Sequence, residues 1–251
     1  MLYVSGKTDD DLLEVTDSYD RTTRLIGIED ALALGTRVHG LHSNGTVTVY
    51  SSVQKFLDMY RMRQALCNNS VSYEIDYDIS LGLITMRSCS LSDSAVHDLV
   101  IPDFVDYIKE YVFEKKLNLR SIVVPESVEL IGYACFRGCE NLESVIIEGT
   151  SGSELDIGEY AFENCRKLRH VHLREGMRSI SRHCFNNCTG LHELQLPNSL
   201  VQINAFAFEG SGLKTIRIPD SVKVLDDTAF AWCANLKFVY TSGAVQSMKR
   251  G

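Results

Sequence analysis

Between residues 96 and 240 the apolar positions repeat one template. A leucine is followed by two apolar residues at spacing three and five: Leu119, Ile122 and Val124; Leu142, Val145 and Ile147; Leu168, Val171 and Leu173; Leu191, Leu194 and Leu196; Leu213, Ile216 and Ile218. Proline then closes the run at Pro102, Pro125, Pro197 and Pro219, the only four prolines in the chain, and Arg174 stands in that slot once. Two more apolar residues follow, as in Val128 and Ile131, Leu200 and Ile203, Val222 and Leu225. The end of L-x-x-I-x-I has the period-two spacing of a short strand. Proline stops it, because proline has no N–H for a ladder and a fixed φ.

Eleven residues after the proline slot comes a phenylalanine, at Phe113, Phe136, Phe185, Phe208 and Phe230, with Phe162 the sixth of the series. A small or modest residue precedes it (Val112, Cys135, Ala161, Cys184, Ala207, Ala229), and cysteine usually stands three residues later (Cys139, Cys165, Cys188, Cys233). This A-F-x-x-C segment is expected to be helical or 3₁₀ and to form the wall opposite the strand. A period near 23 residues marks one unit stacked on copies of itself, since a single unit cannot bury both walls. Stacking places the strands about 4.8 Å apart in a parallel sheet along one side.

The segments "SVELIGYACFRGCENLESVII" and "DIGEYAFENCRKLRHVHL" resemble the BspA-type leucine-rich repeat family over about residues 96–240. The resemblance implies an α/β leucine-rich-repeat solenoid of five to six repeats, right-handed, with a parallel sheet on one face. It also implies adhesion-type binding of host or matrix proteins and a secreted or surface location. Three units depart from the pattern. Lys116 fills the cysteine slot after Phe113, "EGTSGSE" (148–154) carries an insertion, and the Phe208 unit is one residue short before Leu213.

Residues 1–95 lack the repeat and read as a small α+β unit, separate from a repeat domain over 96–251. "TVTVYSS" (46–52) and "VSYEIDYDI" (71–79) alternate as strands, and Asn44-Gly45 signals a tight turn after "RVHGLHS". Val53, Phe56, Leu57, Tyr60 and Leu66 recur at helical spacing, and "IEDALALG" (28–35) suggests a further helical turn or two. The unit is either a cap over the first repeat's open apolar face or a second recognition domain. The acidic run Asp9, Asp10, Asp11, Glu14, Asp17, Asp20 is expected to be a solvated loop, because it lacks the offsets and glycine turn of a calcium loop.

Charge and cysteines narrow the class. The net charge of −8 argues against nucleic acid and anionic membranes as partners, and no apolar run reaches the ~18 residues of a membrane span. The start "MLYVSGKTDDDLLEV" has no basic segment followed by an apolar one, so no signal peptide is read there. Cys139, Cys165, Cys188 and Cys233 share one register position and are expected to stack as buried free thiols, pointing to a reducing cytoplasm. The sharper alternative for C-x₃-C at 135–139 and 184–188 is zinc. It is disfavoured because structural zinc draws its ligands from paired short loops.

A search for chemistry returns little. The histidines His39, His42, His97, His170, His172, His183 and His192 form no metal motif, and no nucleophile elbow or phosphate loop occurs. Cys67 with His39 or His42 is the one thiol–imidazole pair outside the ladder, and keeps open an enzyme site in residues 1–95. Asn44, Asn68 and Asn187 head glycosylation-type triplets that read as coincidence. No cofactor or metal is expected. What remains is a surface. If the template residues point inward, the intervening ones face out. Val100, Val123 and Ile146 then form an apolar strip, and Arg169, His170, His172, Lys214, Arg217 and Lys237 a basic region beside Phe238 and Tyr240. These residues are the expected contact face for a protein partner with an acidic or mixed apolar surface. The expected function is non-catalytic binding as an adaptor or proteinaceous inhibitor, with an adhesin-like role as the alternative.

Overall fold

The structure, a computed structural model, describes residues 83–91, 96–103, 105–149 and 154–241 in full. It describes the strands Leu2–Lys7, Leu12–Asp17, Thr23–Gly27, Val38–Leu41, Val47–Tyr50, Val71–Asp78 and Ser247–Met248 as backbone. The chain divides into two units, one of 1–68 with 77–82 and one of 69–76 with 83–251. In the first, five strands form a sheet in the order Thr23–Gly27, Leu12–Asp17, Leu2–Lys7, Val38–Leu41, Val47–Tyr50. The hairpin expected around Asn44-Gly45 is present, with Val38 opposite Tyr50 and Leu41 opposite Val47. Part of the acidic run read as a loop is instead a strand: Glu14 and Asp17 lie in Leu12–Asp17, where Leu13, Glu14, Val15 and Thr16 alternate apolar and polar. The helices expected over 28–35 and 53–66 lie outside the described residues.

The second unit is a solenoid. A coil contributes up to two short strands and a run of turns. The first strand comes from L-x-x-I-x-I, and four of these pair in parallel in the order His170–His172, Ser144–Ile147, Ser121–Val124, Asp98–Val100. The second is the V-x-x-I segment, read from sequence only as two apolar positions. It builds another parallel wall through Tyr107–Ile108, Leu130–Ile131 and Asp156–Ile157, continued by Ser179–Ile180, Gln202–Ile203 and Val224–Leu225. The strand Leu83–Leu91 joins this wall beside Tyr107–Ile108 and buries Met86 and Cys89, so the repeat unit includes residues before 96.

The third wall corrects an expectation. A-F-x-x-C is neither α nor 3₁₀, and no helix occurs among the described residues. The backbone shows why. The residue two after each phenylalanine adopts left-handed φ (Lys115, Gly138, Asn164, Asn187, Gly210, Trp232), as does the residue two before all but Phe230 (Tyr111, Ala134, Tyr160, His183, Phe206). Two such residues in five coils, and one in the sixth, break any helical run. They also turn alternate N–H groups along the solenoid axis. Phe113 N–H donates to Cys135 O at 2.9 Å, Phe136 to Ala161 at 2.8 Å, Phe162 to Cys184 at 2.9 Å and Phe185 to Ala207 at 2.8 Å. A helix would spend those donors inside one coil, whereas the turns use them to join coils and leave few buried groups unpaired.

The side chains complete the stack. Phe113, Phe136, Phe162, Phe185, Phe208 and Phe230 form one column with ring centres 5.0 to 5.6 Å apart and planes within 2° to 6° of parallel. The cysteine slot sits beside it. The thiols of Cys139, Cys165, Cys188 and Cys233 donate to the carbonyls of Phe113, Phe136, Phe162 and Phe208 in the preceding coil, at 2.9 to 3.2 Å. Cysteine here is more than a small apolar group, since its S–H occupies the second lone pair of a buried carbonyl. Burial pushes the Cys139 thiol up to about 12 and raises Cys135, Cys165 and Cys184 well above the ordinary value. Ile122 and Val145 are fully buried, as the inward reading requires, while Val171 is half-buried.

Arg174, in the proline slot, is the one fully buried cation among the described residues. Its guanidinium donates to the carbonyls of Glu126 at 2.8 Å, Val128 at 2.9 Å, Glu148 at 3.2 Å and Glu154 at 2.8 Å. It thereby ties both ends of the insertion to the preceding coil, and desolvation lowers its proton affinity.

Candidate partner-binding face

The outward positions of the first-strand wall hold every residue singled out from the sequence. Val100 is 66% exposed and Ile146 41%, but Val123, between them, is half-buried, so the apolar strip is discontinuous. Arg169, His170, His172, Lys214, Arg217, Lys237, Phe238 and Tyr240 are all exposed. Pairing fixes which of them align. Ser144 lies opposite His170 and Ile146 opposite His172, while Thr215 lies opposite Phe238 and Arg217 opposite Tyr240. Phe238 and Tyr240 project from the same side of one strand with ring centres 6.1 Å apart.

Sequence reasoning missed an interruption in this wall. Between His170–His172 and Thr215–Arg217 the equivalent segment, 192–196, forms no strand and the sheet splits in two. Five of the six first strands centre on a β-branched residue, Ile122, Val145, Val171, Ile216 or Val239, and the sixth, Asp98–Val100, centres on Leu99. Segment 192–196 centres on Leu194, flanked by Glu193 and Gln195, which favour a ladder less. A central leucine alone is not the signal, because Asp98–Val100 pairs with Leu99 at its centre. A groove of about 790 Å³ opens at the split. Its lining brings together Ile146, Arg169, His170, His172, Arg217 and Tyr240 from the expected set, and adds Glu193, Gln195, Ser144 and Thr215. Val100, Val123, Lys214, Lys237 and Phe238 lie on the same wall outside the groove.

The groove cations stand unpaired. Arg137 is bonded to Glu114 and Arg178 approaches Glu154 at 3.6 Å, yet among the described residues no carboxylate pairs with Arg169 or Arg217. Glu193 is the one carboxylate in the lining. An unpaired, exposed guanidinium fork suits a carboxylate brought by another molecule.

Elsewhere the titratable groups are structural. His183 stacks between Tyr160 at 4.6 Å and Phe206 at 4.9 Å and sits 3.4 Å from Glu209. The thiols of Cys139 and Cys188 carry protons that they donate to carbonyls, which is not the state of a metal ligand. No cluster of three metal-ligating side chains occurs among the described residues. Cys67, His42 and the side chain of His39 lie outside the described residues. No helix among the described residues is long and apolar enough to cross a membrane.

The profile of one family, described as "BspA type Leucine rich repeat region", matches residues 67–154 and 155–251 in six copies. No curated protein matches. Among solved structures, the leucine-rich repeat protein of T. pallidum is similar over 70% of this chain and 80% of its own, at 24% identity and a TM-score of 0.60, which supports the fold. A leucine-rich cell surface protein from Faecalibacterium prausnitzii aligns at 26% identity and a TM-score of 0.48, covering 67% of this chain and 52% of its own. A leucine-rich repeat protein from Bacteroides ovatus aligns at 25% and 0.48, covering 67% and 39%. The chain thus spans about half and two-fifths of those last two.

Proposed function

The chain belongs to the BspA-type leucine-rich repeat family, and on that premise we propose that it is a non-catalytic protein-binding module. Its partner docks on the first-strand wall. One observation carries this reading: the wall opens into a groove whose guanidiniums, Arg169 and Arg217, are paired with no carboxylate among the described residues, on a chain whose net charge is −8. A chain with more carboxylates than cations that leaves two arginines unpaired in one cleft favours an acidic partner there. The role that fits is an adaptor or a proteinaceous inhibitor. A reducing compartment suits the buried thiols, whose protons satisfy backbone carbonyls.

The test is capture of partners from the native host by immobilised protein, with the wild type compared against a His172→Asp, Arg217→Glu double variant. Both positions are exposed, so the fold is retained and circular dichroism verifies it. The wild type should retain a partner that the variant loses. Equal capture by both overturns the reading.

A further inference from the structure

Building on the reading that this wall binds protein, we infer that what it takes is a short extended segment crossing the strands, apolar at one end and acidic at the other. The spacing follows from the register. Outward positions on successive coils repeat about every 4.8 Å, so Val123 to Arg217 spans four steps, or about 19 Å. An extended chain rises about 3.3 Å per residue and turns alternate side chains to one side, or one every ~6.6 Å. Four side chains of a seven-residue segment therefore meet the wall over that length. The first two fall on Val123 and Ile146. The third, at about 13 Å, falls between the strand of Arg169 and His172 and the 192–196 segment, and the fourth, at about 20 Å, reaches Arg217. The matching pattern is apolar-x-apolar-x-acidic-x-acidic.

Three features favour this occupant over a folded acidic surface or a polyanion. Val123, Ile146, His172 and Arg217 follow one another along one row of outward positions, with Arg169 directly before the His172 strand. The groove is narrow in charge, with two unpaired guanidiniums and Glu193 between their strands, which would repel a uniformly anionic polymer. The interruption at 192–196 leaves a cleft instead of a flat sheet, with room for a single chain.

The experiment uses the full chain and fluorescein-labelled peptides, read by fluorescence anisotropy at low and high salt. One peptide is Ser-Leu-Thr-Ile-Thr-Asp-Thr-Glu-Ser. In a second, lysine replaces both acids, and in a third, serine replaces both apolar residues. The first should bind in a salt-sensitive way, and the other two at least about ten-fold more weakly. Arg169→Glu with Arg217→Glu should abolish the preference for the acidic peptide. Glu193→Gln should tighten binding about two-fold by removing the opposing charge.

Equal binding of the acidic and lysine peptides overturns the inference, as does an unchanged affinity in the double variant. Tighter binding of a thymidine oligonucleotide or a sulfated polysaccharide than of the first peptide also overturns it. If no peptide binds while the His172→Asp, Arg217→Glu variant still loses a partner that the wild type captures, the segment falls and the docking wall stands. If that variant loses nothing, both fall.

Discussion

Replacing Arg174 by proline moves the chain toward its own repeat consensus and should nevertheless destabilise it. Four other coils carry proline in this slot, and a consensus argument would predict a gain. The structure predicts a loss. The guanidinium bonds four carbonyls, and the one to Val128 lies wholly in the interior. After substitution the carbonyls of Glu126, Glu148 and Glu154, partly open, turn to water, whereas Val128 O keeps no donor, at a cost of about 1–3 kcal/mol. Loss of the charge-assisted bonds and of the packed aliphatic stem adds about 2 kcal/mol, and relief from burying a cation offsets part of it. The net is about 2–4 kcal/mol. With a urea dependence of about 2–3 kcal/mol per molar for a domain of this size, the midpoint should fall by about 1 M. Urea titration followed by circular dichroism reads this directly. Arg174→Lys, which keeps a point charge but not the fork, should fall between. If Arg174→Pro unfolds at or above the wild-type midpoint, the bonding scheme around the insertion is wrong.

Further expectations concern the stack. Phe185→Ala removes a ring with two partners and no exposure, and should cost about 4 kcal/mol, while Phe230→Ala, half-buried with one partner, should cost about 2. Equal costs in urea titration would refute the column as an energetic unit. Trp232→Asn should stabilise by about 0.5–1 kcal/mol, because the exposed tryptophan holds φ 56° where Asn or Gly stands in four other coils. An unchanged midpoint would count against strain there. The thiols give stability a pH dependence. Cys139 moves from 9.0 to about 12 on folding, so its contribution is whole below pH 9 and is lost as pH rises toward 12. Thermal midpoints measured from pH 7 to 11 should fall only above 9, and less steeply in Cys139→Ala. A flat profile contradicts the burial.

The repeat itself was legible because it is a statement about composition at fixed spacing. Six phenylalanines near a 23-residue period, with leucine and cysteine in register, require stacked coils whatever the local conformation. The inward set Ile122 and Val145 and the outward set Val100, Ile146, His172 and Arg217 followed from alternation alone. The wall holding A-F-x-x-C was misread, because its composition of Ala, Phe and Cys fits a helix. The decision rested with backbone hydrogen bonds to the next coil, which alternate left-handed residues make possible. Those partners lie about 23 residues away, beyond the reach of any local pattern.

The same division runs through the candidate face. Which residues point outward was written in the chain. The split at 192–196, the placing of Glu193 within the groove and the lack, among the described residues, of an ion pair to Arg169 or Arg217 were not, because each depends on how neighbouring coils meet. Period and polarity are properties of one chain read in order. Cavities, ion pairs and the partners of a buried guanidinium exist only between segments, and only three-dimensional packing assigns them.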